Sequence, residues 1–90
     1  MIKIVAKNTV KKENKADFIN TAKELIEKSR AEEGCISYTL NESLDGKYLT
    51  FTEEWKDEKS IEMHNNSEHF KSIVPKLSQF KRRRYGCYFV

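Results

Sequence analysis

The chain has 90 residues, a length that corresponds to one domain. Its formal charge is +3 and its apolar fraction is 38%. The apolar fraction is higher than that of disordered chains. The net charge is too small to indicate a dedicated nucleic-acid binder. No apolar run approaches the ~20 residues needed to cross a membrane, and lysines interrupt the first residues where a signal peptide would be apolar. We therefore expect one cytoplasmic domain over residues 1–90, with neither nucleic acid nor membrane among its partners.

The N-terminal part of the chain predicts a strand followed by a helix. Apolar and polar residues alternate over residues 2–10, which is typical of a half-buried strand, and Asn8 is the odd member of its apolar face. Asn14 is positioned to cap the helix, and Gly34 is expected to end it as a C′ glycine. The apolar face of this helix consists of Phe18, Ile19, Ala22, Leu25 and Ile26.

Two further strands are predicted over residues 35–43 and 48–56. The turn between them contains Asp45-Gly46, and this dipeptide is a strong signal for a hairpin. The two strands should therefore pair antiparallel.

The C-terminal half predicts a broken helical region and a last strand. Residues 57–80 are helical in pattern, with an interruption at 65–67 and a kink or division expected at Pro75. Residues 81–90 predict the final strand. The order β-α-β-β-α-β indicates an α+β, ferredoxin-like fold with helices on one face of an antiparallel sheet. The other face still carries some apolar groups, so we expect a homodimer.

His64 is the first candidate for chemistry. An imidazole titrates near neutral pH, which suits a general base in a pocket between helix and sheet. The alternative is a histidine that faces the protein interior and is satisfied by a carboxylate. The residues alone favour this second interpretation by a small margin.

Four more side chains are candidates, each with a structural alternative. Glu53 shares a strand face with Trp55, so its carboxylate either needs a partner in a pocket or lies at the dimer interface. Trp55 could form the wall of a site for an aromatic substrate or simply pack in the core. Tyr38 could donate a hydrogen bond from its phenol or be a half-buried strand aromatic. Asn8 could hold a substrate oxygen or make a structural hydrogen bond.

The sequence argues against a metal centre. His64 and His69 are five residues apart, which on one continuous helix places them ~140° apart, so they are not expected to converge. No third ligand has suitable spacing, and Cys35 and Cys87 are most simply buried thiols. The basic run at 81–84 either forms the solvent-exposed start of the final strand or binds a phosphate or an acid.

Three motifs in order resemble the antibiotic biosynthesis monooxygenase (ABM) family. Residues 32–38 (EEGCISY) are similar to its E-x-G-C-x-x-Y element, and residues 53–57 (EEWKD) to its E-x-W-x-D element. The third element has a histidine followed five residues later by His-Phe or His-Tyr, as in His64 and His69-Phe70. The resemblance covers nearly the whole chain.

The resemblance implies a dimeric α+β barrel and a cofactor-free oxygenase acting on quinols, anthrones or related polyphenols. In such a reaction the substrate loses a proton and its anion reduces oxygen. Carried over by position, His64 would be the base or its orienting partner. Asn8 and Tyr38 would steady substrate oxygens, while Trp55 and Phe70 would form the pocket wall.

Relatives within the same architecture provide alternatives. In the haem-degrading branch a Trp stands where this chain has His64, and the haem ligand falls near Val74, so both positions argue against that activity. Another branch isomerises a phosphorylated autoinducer derivative; it has a similar histidine pair and a basic C-terminal segment, in which Arg84 would bind a phosphorylated metabolite. A third alternative is a non-catalytic protein that binds small molecules, because a fold does not fix a function.

Overall fold

The computed structural model describes residues 1–83 and 87–89, with side chains as far as Lys81. In chain order the elements are β1 (Ile2–Val10), a 3-10 turn (Lys12–Asn14), α1 (Lys15–Arg30), β2 (Cys35–Glu42), β3 (Tyr48–Trp55), α2 (Glu58–Asn65), α3 (Glu68–Ser78), β4 (Lys81–Arg83) and β5 (Cys87–Phe89).

The strands form one antiparallel sheet in the order β2-β3-β1-β4, and β5 also pairs with β1. This order is that of the ferredoxin-like fold, so the predicted fold class is confirmed. The final strand appears as β4 and β5, while residues 84–86 and 90 lie outside the described part of the chain.

The hydrophobic core lies between the sheet and the helices. Every second residue of β3 is buried, as expected for a strand with one face against helices. Full burial of each large apolar side chain contributes about 1.5–3 kcal/mol. The most completely buried members of this core are Phe18, Ala22, Leu25, Tyr38, Leu49, Trp55 and Leu77.

A bulge at the start of β2 changes which side chains face the core. Cys35 pairs with Trp55 but Ser37 pairs with Glu54, so β2 contains one extra residue at this point. Simple alternation places Ile36 on the same face as Tyr38, but Ile36 is 56% exposed.

The helices differ from the sequence expectation at two points. The first helix ends at Arg30, so the prediction that Gly34 ends it as a C′ glycine is wrong; Ala31, in the ordinary right-handed conformation, caps it instead. In the second helical region the predicted interruption at 65–67 is confirmed, since α2 ends at Asn65 and α3 begins at Glu68, but Pro75 lies inside α3 and does not divide it. No helix in the described part of the chain is both long and apolar enough to cross a membrane.

Candidate functional site

The connection between α2 and α3 places two histidines side by side. His64 lies in the last turn of α2 and is 2% exposed, and His69 lies in the first turn of α3. The hydroxyl of Ser67, the residue that caps α3, donates to the His64 carbonyl at 2.6 Å and accepts from the backbone N–H of Phe70 at 3.2 Å. This one side chain therefore ties the end of α2 to the start of α3.

Glu32 joins both imidazoles. Its Oε2 lies 2.6 Å from His64 Nδ1 and 2.9 Å from His69 Nε2. Because an ionised carboxylate can only accept, each imidazole donates an N–H to it. The expectation that the two histidines diverge is wrong, because it assumed one continuous helix and the chain turns at residues 66–67.

The loop that carries Glu32 is held against α2 by a close backbone approach at Gly34. A Cβ on Gly34 would overlap the Cβ and hydroxyl of Ser60. The Gly34 carbonyl also accepts from the backbone N–H of Lys56 at 2.8 Å. Sequence reasoning did not assign Glu32 to a site, although it is the first residue of the motif at 32–38.

Three aromatic rings surround the His64 imidazole. Its ring centroid lies 4.5 Å from Trp55, 5.1 Å from Phe70 and 5.5 Å from Tyr38. Trp55 and Tyr38 are buried, whereas Phe70 is half-buried and lies on the solvent side of the group. All three were candidates from the sequence, and the structure brings them together around His64.

The far nitrogen of His64 has no partner among the described protein atoms. Nε2 is buried and makes no hydrogen bond. Since Nδ1 donates to Glu32, Nε2 carries the lone pair of a neutral imidazole. Burial lowers the pKa of His64, although its hydrogen bond and charge interaction with Glu32 oppose this shift. The imidazole is therefore neutral near pH 7 and can accept a proton at Nε2.

Glu53 faces the helices, on the opposite side from the bare sheet face. It is 6% exposed, and its Oε1 accepts from Trp55 Nε1 at 2.9 Å. Burial raises the pKa of Glu53 to about 6, against the opposing effect of the Trp55 hydrogen bond. Burial and the nearby Glu53 charge hold the pKa of Tyr38 well above its usual range, so its phenol remains a donor.

Asn8 lies apart from this group. Both hydrogens of its amide are used, since Nδ2 donates to the carbonyls of Ala6 and Leu49, each at 3.1 Å. Along β1, Asn8 pairs with Leu49, whereas Trp55 pairs with Ile2. Six residues of strand correspond to ~20 Å, so the structure does not bring Asn8 to His64. Its role with a substrate oxygen stays a prediction.

The basic C-terminal run also begins at the far end of the sheet. Arg83 of β4 pairs with Thr9, and Arg84 lies outside the described residues. A cleft of about 870 Å³ opens at this end, and its basic lining residues are Lys11, Lys12, Lys15 and Lys47. Within one chain, a phosphate bound here would lie far from His64.

The order of the elements is the one that the resemblance implied, and residues of the three motifs, Glu32, Tyr38, Trp55 and His64 among them, lie together. The model of the antibiotic biosynthesis monooxygenase family matches residues 1–76. The chain belongs to this family. An ABM domain therefore accounts for most of its length.

Named relatives agree with this assignment. The chain is 41% identical over 78 residues to the protein named "Putative monooxygenase YcnE" of Bacillus subtilis (strain 168), covering 84% of this chain and 81% of that one. A crystal structure of a conserved protein from Methanosarcina mazei Go1 is 43% identical with a TM-score of 0.96, and the match covers 99% of this chain and 89% of that one. A crystal structure described as an antibiotic biosynthesis monooxygenase is 30% identical with a TM-score of 0.88, covering 100% and 94% of the two chains. These similarities support a monooxygenase-like function.

Proposed function

We propose that this ABM protein is a cofactor-independent monooxygenase for small electron-rich aromatic substrates of the quinol or polyphenol type. One observation carries the proposal: the buried, unpartnered Nε2 of His64 lies among aromatic rings while Glu32 holds Nδ1. This arrangement combines an oriented base with aromatic side chains against which an aromatic substrate can pack once Phe70 moves.

In the proposed reaction, His64 Nε2 takes a proton from the phenol or from the activated carbon of an anthrone. The resulting anion gives one electron to dioxygen, and the two radicals combine to form a C–O bond. The peroxide anion takes the proton back from His64 Nε2 to form a hydroperoxide, which then loses water and leaves a carbonyl group. Substrate and dioxygen supply all the electrons, so the protein contributes proton transfer, orientation and exclusion of water.

The neighbouring side chains have separate roles in this proposal. Tyr38 donates a hydrogen bond to the substrate anion, because its raised pKa keeps the phenol protonated, and its O–H must turn from Glu53 towards the substrate to do so. Trp55 forms the fixed wall, since it is fully buried and held by Glu53. Phe70, which is half-buried, turns aside to admit the substrate.

We also propose that the protein is a homodimer in which two sheets pack through the face that carries no helices. A single layer of helices on one side leaves the other side of the sheet exposed. For a chain of 90 residues, burying that face would add substantially to a small core.

Oxygen uptake with a panel of hydroquinones and anthrones tests the proposed activity. We expect uptake above the rate of autoxidation and a decrease of ~10²-fold or more in His64→Ala. Met63→Ala is the matched control, because Met63 precedes His64 on α2 and is 64% exposed. Uptake no faster than autoxidation for every substrate would exclude the activity, and an unchanged rate in His64→Ala would exclude His64 as the base.

A further inference from the structure

We propose that Glu32, His64 and His69 form a binding site for one divalent transition-metal ion of the Zn²⁺ type, and that an ion bound there switches off His64 as a base. The three ligand atoms, one from each residue, lie within 4.8 Å of one another. Two imidazoles and one carboxylate are a ligand set that Zn²⁺ accepts, with a fourth position left for water.

The distances require only small movements. At metal–ligand distances of ~2.0–2.2 Å, tetrahedral ligands lie ~3.3–3.6 Å from one another. Glu32 Oε2 is already 2.6 Å from His64 Nδ1 and 2.9 Å from His69 Nε2. An ion can therefore enter after the Glu32 oxygen moves about an ångström or less away from each imidazole nitrogen. The two imidazole nitrogens, which lie within 4.8 Å of each other, must approach by up to ~1.5 Å.

Burial favours a bound ion over a passing surface contact. His64 is 2% exposed, His69 14% and Glu32 18%. The aromatic rings around His64 give the site a low local dielectric, which strengthens the attraction between a carboxylate and a divalent ion. The partly exposed Glu32 and His69 provide the entry side and room for the water ligand.

Binding changes the tautomers of both histidines. In the hydrogen-bonded form, His64 Nδ1 and His69 Nε2 carry the protons. A metal needs these same atoms as lone-pair donors, so each proton moves to the other nitrogen of its ring. His64 Nε2 then carries a proton and no longer accepts one. This consequence rests on the proposed function, whereas metal binding itself does not.

Binding is tested by calorimetry with ZnCl₂ alone on wild type, Glu32→Gln and Glu33→Gln. Glu33 is the adjacent, exposed carboxylate, so its variant is the matched control for loss of one charge. We expect one Zn²⁺ per chain for wild type and Glu33→Gln, and an affinity lower by about 100-fold or more in Glu32→Gln. Both cysteines remain in all three proteins, so equal binding in Glu32→Gln would assign the ion to another site and overturn the proposal.

A second measurement uses the wild-type protein only. The chain has two histidines, so their ring proton resonances can be followed individually by NMR during the ZnCl₂ titration. We expect both to shift with the same stoichiometry; no shift, or a shift of one alone, would overturn the site. If both shift but one equivalent of Zn²⁺ leaves oxygen uptake unchanged, the switch is wrong. If no substrate is ever oxidised, calorimetry and NMR still decide whether the site exists.

Discussion

The Glu32 carboxylate lies 2.6 Å from Nδ1 of His64, so a residue in the loop after α1 fixes the tautomer of a buried imidazole at the end of α2. These two residues are 32 positions apart in the sequence. The contact leaves Nε2 as the basic atom and couples its proton affinity to the carboxylate.

The first prediction concerns the pH dependence of oxygen uptake. His64 must be unprotonated to act as a base, so the rate rises with pH through its pKa. Because burial lowers this pKa, the acid limb should lie below the ordinary histidine value of ~6.5. Glu32→Gln removes the group that raises the pKa of His64, so the rise in rate should occur at still lower pH. The maximal rate of oxygen uptake above this rise should fall by about 10- to 100-fold. Glu33→Gln should reproduce the wild-type profile; a limb that moves to higher pH in Glu32→Gln would contradict the assignment.

Much of the fold could be predicted from local patterns. Alternation in the strands, the apolar stripes of the helices and the Asp45-Gly46 turn predicted the order of strands and helices, although the single strand expected at the end appears as β4 and β5. The bulge at Cys35–Ser37 was missed, because an extra residue is recognised only from the pairing of β2 with β3. The local sequence of β2 does not determine its pairing register with β3.

The site was only partly predictable. Tyr38 and Trp55 were candidates from the residues themselves and Phe70 from the motifs, and all three lie around His64. Glu32 was missed because its contact depends on how the loop packs against α2. His69 was misplaced because helical periodicity applies only within one helix, and the chain turns between the two histidines.

The second prediction concerns Gly34, whose missing side chain lets the Glu32 loop pack against α2. In Gly34→Ala the new Cβ would overlap Ser60, so the loop must move or the helix must shift. We expect a loss of about 1–3 kcal/mol in the free energy of unfolding, measured with urea. The resonances of both histidines should also change.

Gly46→Ala separates this packing effect from a backbone effect. Gly46 has a φ of 74°, so its substitution strains the hairpin turn but leaves the Glu32 loop untouched. It should lower stability by about 1 kcal/mol without moving the histidine resonances. Wild-type stability and unchanged resonances in Gly34→Ala would refute the role of the close approach.

The third prediction concerns the buried carboxyl of Glu53. Its pKa in the folded protein is about 6, above the ordinary value of 4.5, so the folded state holds the proton more tightly than the unfolded state. The resulting stabilisation is fully present below pH ~4.5 and is lost as the pH rises through ~6. Glu53→Gln removes this dependence and keeps an oxygen for Trp55 Nε1. Between pH 4 and 7.5 the free energy of unfolding of Glu53→Gln, relative to that of the wild type, should therefore rise by about 2 kcal/mol.

Urea unfolding at several pH values checks this change. Glu54→Gln removes a carboxylate from the opposite face of the same strand, where Ser37 donates to it at 2.8 Å, and serves as the control for charge removal. If the free energies of unfolding of wild type and Glu53→Gln change with pH in parallel, the Glu53 carboxyl has the same proton affinity in the folded and unfolded states. That outcome would contradict the prediction.

The last prediction concerns the proposed homodimer. Val5 lies on the sheet face away from the helices and pairs with Thr52 in the middle of β3. In a dimer that buries this face, Val5→Glu would place two carboxylates in the interface without partners, at a cost of several kcal/mol. Light scattering at micromolar concentration should give a dimer for wild type and mostly monomer for Val5→Glu.

Lys23→Gln, which makes the same change in charge on the exposed side of α1, should remain a dimer. Circular dichroism must show that the variant is folded, because Val5 is half-buried within one chain. A monomeric wild type would exclude the dimer, and a folded Val5→Glu that stays dimeric would place the interface on another surface.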